Sequence, residues 1–167
     1  VILLLVVFFI TYIQVNNAKS TNQKFLTVDQ PSSFAINHLK DELSSTHNYM
    51  QKWVADESLP NEPFKIEAIK LLDSNLNFDL IEISELSKNW KDIAGGKEEF
   101  AKITEIIQQL ISLYNSGVRD VLTDVESYSD DRFFLAQTTF DLEILDLYFQ
   151  SAQLLDQLVK IRSKIAN

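Results

Sequence analysis

The chain opens on an uncharged apolar run, Val1–Val15 (VILLLVVFFITYIQV), and passes at once into the polar flank Asn16–Lys24. Fifteen helical residues reach about 22 Å, short of the roughly 30 Å hydrocarbon core of a bilayer. Residues 1–15 are therefore expected to be the end of a transmembrane anchor whose first turns precede Val1. Two other readings compete with it. A cleaved secretory signal needs small residues before its cleavage point, and the candidate point after Ala18 has Asn16 where a small residue is wanted. A buried core helix is the third reading.

A juxtamembrane connector is expected over residues 16–32, with Leu26–Pro31 interrupting the pattern. Beyond it, apolar residues recur at three-four spacing in four long stretches, as amphipathic helices require. The first, about residues 33–56, has the seam Ile36, Leu39, Leu43, Thr46, Met50 and Trp53. Pro60 breaks the chain, and Asn61-Glu62-Pro63 starts the second helix with proline in its first turn. That helix, about residues 63–92, carries Ile69, Leu72, Leu76, Ile83, Leu86, Trp90 and Ile93. Asp79 is its one off-pattern seam position, and Ser74-Asn75 is a point of loosening. Gly95-Gly96 is expected to end it through a left-handed C-terminal cap.

The third helix, about residues 97–128, runs Phe100, Ile103, Ile107, Leu110, Tyr114, Gly117, Val121 and Val125. Ser129-Asp130-Asp131 then turns the chain and puts acids at the positive end of the next helix. The fourth steps through Gln137, Phe140, Ile144, Leu147, Ser151, Leu154, Leu158, Ile161 and Ile165. Its strict 3.5-residue period predicts knobs-into-holes, coiled-coil-like packing. Strand-type alternation of comparable length does not occur. The expected fold is thus all-α, an N-terminal transmembrane helix followed by an up-down-up-down four-helix bundle over residues 33–167. In that topology the fourth helix returns to the end from which the first departs.

Charge fits this placement. Lys19 and Lys24 near one end, with Lys160, Arg162 and Lys164 at the other, are five of the chain's 15 cations. The remaining 10 face 24 acids, so residues 25–159 carry a net −14, against −9 for the whole chain. Basic residues beside anionic headgroups each gain about 1 kcal/mol, although cations also favour a helix C-terminus for local reasons.

Composition mostly removes chemistry. With 167 residues the chain is one domain long, and 46% apolar content supports a core. The absence of Cys removes disulfides, thiolate metal sites and thiol nucleophiles. The acidic balance argues against nucleic acid, and three glycines leave no phosphate-cradling loop. His38 and His47 lie on opposite faces of one predicted helix and cannot share a metal. No Glu-x-x-His pair exists for a di-iron site, and the sole methionine, Met50, shares their helix, which removes Met/His haem ligation. No catalytic residue, metal or cofactor is expected, and an enzyme is not. The small or polar positions Thr46, Gly117 and Ser151 inside large-residue seams are ligand-binding candidates around a mid-bundle gap. Register specification or close helix approach is their plainer reading. Arg119 is a candidate anion hook, with surface pairing to Asp120 as its plainer role; the same applies to Arg132 and Asp131.

The apolar N-terminal run leading into four long helices, with the phrases Ser44-Ser45-Thr46-His47-Asn48-Tyr49-Met50-Gln51-Lys52-Trp53-Val54 and Leu86-Ser87-Lys88-Asn89-Trp90, resembles the four-helix-bundle sensor domain of bacterial chemoreceptors and sensor histidine kinases. The resemblance is architectural and covers nearly the whole chain. It implies a homodimeric, periplasmic input module at the bacterial inner (cytoplasmic) membrane, with a second transmembrane helix and an output domain beyond Asn167. A small-molecule or protein ligand would shift the fourth helix against the first and bias a two-state equilibrium. The alternative is a single-anchor structural or adaptor protein of a cell-envelope assembly, which predicts an exposed apolar stripe on the bundle.

Overall fold

The computed structural model describes residues 2–55, 61–90, 95–129 and 131–165, without the side chains of 2–5 and 164–165. These residues are all helical apart from short connections. α1 (Ile2–Lys24) passes through a π-helical turn (Phe25–Asp29) straight into α2 (Gln30–Ala55). The interruption expected at Leu26–Pro31 is therefore absent. The Gln30 N–H reaches back five residues to the Phe25 carbonyl. This wider turn accommodates the ring and missing N–H of Pro31 without ending the helix.

The second rod is α3 (Pro63–Lys70), a π-turn (Leu71–Asn75) and α4 (Leu76–Ser87), so the loosening falls at Ser74-Asn75 as expected. The third is α5 (Gly96–Tyr114) with a π-turn over Asn115–Arg119. The fourth is α6 (Asp131–Thr139), a π-turn (Phe140–Ile144) and α7 (Leu145–Ile165), entered through a 3₁₀ turn at Val125–Ser129. The four rods pack as a bundle, α2 against α4 and α7, and α5 against α7. One core draws Ile36 and Leu43, Leu72 and Ile83, Ile103 and Ile107, and Ile144 and Leu158 from the four rods in turn.

Two boundaries and one buried stripe differ from the sequence reading. Gly95, at φ +74°, caps the start of α5 rather than the end of the second rod, and its carbonyl accepts the Glu99 N–H at 2.9 Å. Helical structure in the third rod ends at Arg119, not near residue 128, leaving Val125 exposed. There the Asp124 carboxylate accepts the Ser127 N–H at 2.8 Å and starts a new turn. In the fourth rod the buried stripe is Ala136, Phe140, Ile144, Ser151, Leu155, Leu158 and Arg162, with Gln137 exposed and Leu154 and Ile161 only partly covered. Phe140, Ser151 and Arg162 are eleven residues apart, the drift of a straight helix rather than a strict 3.5 period. Pro60, Ile93, Asp130 and the Ile165 side chain lie outside the described residues.

Arg162 is the largest departure. Expected in a basic flank, it is 1% exposed, pairs with the buried Asp29 and sits 4.6 Å over the Trp90 ring. Burial lowers its pKa from the usual arginine value and the Asp29 charge opposes that shift. Trp90 in turn donates its indole N–H to Ser32 Oγ at 2.8 Å. The end of α7 is thus pinned to the α1–α2 joint, and the fourth rod does return to the start of the first. At the opposite end Lys65 is buried between the Trp53 and Tyr128 rings and donates to Tyr128 Oη at 3.1 Å.

The apolar start of α1 projects beyond this bundle. Phe8 and Phe9 are 73% and 64% exposed, and Val6, Val7, Ile10 and Val15 are also open. Among the described residues no helix is long and apolar enough to cross a membrane. Val1 and the side chains of residues 2–5, the first third of the run expected as an anchor, lie outside them.

Candidate functional site

Each position singled out from the sequence has a local contact of its own. Thr46 and Ser151 are fully buried, but each hydroxyl donates to its own helix, to the Glu42 carbonyl and the Tyr148 carbonyl, both at 2.8 Å. Gly117 marks a close helix approach: a Cβ there would lie 2.6 Å from Thr139 Cγ2. Arg119 donates to Asp73 on the second rod at 2.7 Å and to Asn115 at 3.2 Å, not to Asp120. Arg132 lies 3.8 Å from Asp124.

Between Thr46 and Ser151 the interior is closed by rings. His47 stacks on Tyr148 with centroids 3.8 Å apart and on Phe140 at 5.2 Å, and its Nδ1 shares a 2.9 Å hydrogen bond with Tyr114 Oη. Burial lowers the His47 pKa to about 4. Burial, with the Tyr148 hydroxyl adding to it, raises that of Tyr114. This is a packed, neutral layer.

An open site lies on the other side of α2, in a groove of about 400 Å³ facing the second rod. α2 contributes Phe34, His38 and Glu42; the second rod contributes Ser74, Asn75, Phe78, Asp79 and Glu82. His38 and Glu42, four residues apart, share one face of α2, and both meet Asp79 from across the groove. His38 Nδ1 is 2.9 Å from Asp79 Oδ2, and its Nε2 is 3.9 Å from Glu42 Oε1. Asp79 is only 3% exposed, an acid in a core seam between Leu76 and Ile83.

The π-turn of the second rod supplies the support. Asn75 donates its amide N–H to Glu42 Oε1 at 2.9 Å, with Ser74 Oγ 3.2 Å from Asn75 Oδ1. The second oxygen, Glu42 Oε2, is buried and meets no N–H or O–H donor, with the Asp79 carboxylate as the neighbouring acid. The hydrogen bond to Asp79 raises the His38 pKa above its usual value, against a smaller opposing effect of burial. Burial raises that of Glu42, partly offset by Asn75 and reinforced by the neighbouring Asp79 charge.

Three acids and one imidazole line the groove without a lysine or arginine, so its chemistry favours a cation. Ser74, its one hydroxyl, also donates to the Lys70 carbonyl at 2.8 Å, and no nucleophile–base pair is assembled among the lining residues. The two histidines taken together do not reveal this site, because they face opposite sides of α2. The available signals were the His38/Glu42 spacing and the charged residue at seam position 79. Comparison with protein-family models, curated proteins and solved structures finds no match to this chain.

Proposed function

We propose that the chain is the extracytoplasmic signal-input module of a membrane receptor, held at a bacterial-type inner membrane by residues 1–15 and acting as a binding module rather than an enzyme. The observation that carries this reading is the joint between α1 and the bundle. An apolar helix open on all sides continues unbroken into α2, and the end of α7 is pinned beside that joint by Arg162 and Asp29. Exposed side chains such as Phe8 and Phe9 are costly in water and favourable in hydrocarbon. A displacement of α7 would be passed to α1 at this joint and carried along α1 to the bilayer, with a homodimer as the signalling unit. The exposed Phe134, Leu135, Leu142 and Phe149 of the last rod favour the second reading, an envelope adaptor that presents apolar surface to a partner protein.

The cysteine-free sequence permits one experiment with two readouts. The full chain, spin-labelled through Lys19→Cys and Lys160→Cys, is mixed with phosphatidylglycerol/phosphatidylethanolamine vesicles. The membrane reading expects flotation with the vesicles through a carbonate wash, lost when Phe8 and Phe9 are both replaced by Asp. Recovery of the unaltered chain in the lipid-free fraction overturns it. Two interconverting label distances support the receptor, and one fixed distance supports the adaptor.

A further inference from the structure

We propose that His38, Glu42 and Asp79 form a binding site for one divalent transition-metal ion of the zinc type, open to the groove between α2 and the second rod. One donor atom from each residue lies within 4.8 Å of the other two. Around a zinc ion with bonds of about 2.0–2.2 Å, donors sit roughly 3–4 Å apart, so side-chain adjustments of less than about 1 Å complete the set. One imidazole nitrogen with two carboxylate oxygens is a zinc-type donor set. Calcium and magnesium take oxygen ligands.

A second, separate observation points to an ion. Glu42 Oε1 is held by Asn75 while Oε2 is buried without a partner, on a side chain only 14% exposed. Leaving a buried acceptor unmet is unfavourable, and a cation between Glu42 and Asp79 removes that cost. The same cation relieves the repulsion of two adjacent carboxylates, one of them in the core, that share only one imidazole. Asn75, which donates to Glu42 Oε1, is the outer-shell residue that orients a metal-binding carboxylate. The remaining coordination positions face the groove, where Phe34 and Phe78 flank the opening and leave room for water or a further ligand atom. Zinc binding can be measured whether or not vesicles retain the chain, so this site and the membrane reading stand or fall separately.

The test is calorimetric titration of the tag-free full chain, stripped with chelator, with zinc chloride. One ion per chain is expected, with Co²⁺ at the same site giving a visible absorption band displaced by Zn²⁺. Asp79→Asn and Glu42→Gln should each weaken binding by at least about tenfold, and Asn75→Ala by about 10–100-fold as a loss of outer-shell support. His38→Gln changes a half-exposed side chain, so this variant keeps its helical circular dichroism and should still lose binding. No stoichiometric binding by the unaltered chain overturns the site. So does unchanged affinity in both Asp79→Asn and His38→Gln, which would mean adventitious surface carboxylates only.

Discussion

His38 and His47 are nine residues apart on one helix, and their surroundings drive them in opposite directions. His38 is half-exposed beside two carboxylates, and its hydrogen bond to Asp79 raises its pKa. His47 is closed in by Tyr114, Phe140 and Tyr148, and burial holds it neutral. Helical geometry alone sets this up, since nine steps of about 100° turn one ring toward the second rod and the other toward α5 and α7. The same α2 can therefore present a charged site to solvent and a neutral layer to the core. Around His47 the ring nitrogen and the Tyr114 hydroxyl are matched to each other; in the groove a carboxylate oxygen is left unmatched.

Acid is the strongest way to break the contrast. With its folded pKa lowered to about 4 from 6.5, His47 contributes stability that is fully present above pH 6.5 and lost as pH falls toward 4. Integrated over that window the loss is at most about 3 kcal/mol. The groups facing His47 from α5 and α7, Tyr114 and Tyr148, are uncharged throughout it. Denaturant midpoints measured between pH 7 and 4.5 should fall more steeply for the unaltered chain than for His47→Gln. Parallel curves would mean that His47 is protonated in the folded state.

How much of the contrast is readable without coordinates follows from where each half gets its neighbours. The seam of α2, Ile36 through Trp53, is buried throughout because its spacing is strict and the rod is straight enough to keep one face inward. In the fourth rod the phase shifts beyond Ser151, so Leu155 and Arg162 take the places that Leu154 and Ile161 seemed to hold. A basic residue near a chain end reads as a solvated flank, and only the fold reveals its buried acid, 133 residues away. The groove has the same difficulty. His38 and Glu42 are neighbours by helical spacing, but Asp79 is 41 residues on from His38, and Asn75 is aimed by a π-turn that apolar periodicity does not encode.

Crowding the layer behind His47 is a smaller perturbation. Gly117→Ala places a methyl group 2.6 Å from Thr139 Cγ2. Overpacking of this kind costs about 1–2 kcal/mol when a neighbouring side chain has to move. Thr139 precedes Phe140, one of the two rings stacked on His47, so the push reaches the neutral histidine and not the groove. The melting temperature should fall and the His47 pKa, followed by NMR, should rise from about 4 toward 6.5. A full-strength melt with an unmoved His47 would separate the helix contact at Gly117 from the aromatic layer.

The smallest expected change in stability is the most informative about the groove. Asp79 is 3% exposed among Leu76, Leu80 and Ile83, so Asp79→Leu continues an apolar seam with a side chain of fitting size. Removing one partner of a buried ion pair normally costs several kcal/mol because the other charge is stranded. Here the partner, His38, is half-exposed and remains solvated, while Glu42 loses a like-charged neighbour. Stability should therefore stay level or rise by up to about 1 kcal/mol, as when buried ionic groups are exchanged for packed apolar ones. Zinc binding should disappear, and the His47 pKa should stay at about 4. A loss of more than about 2 kcal/mol would make Asp79 a structural pin of α4 to α2. A neutral or stabilising exchange would mean that the core holds an acid it does not need for folding, in the place where a cation requires one.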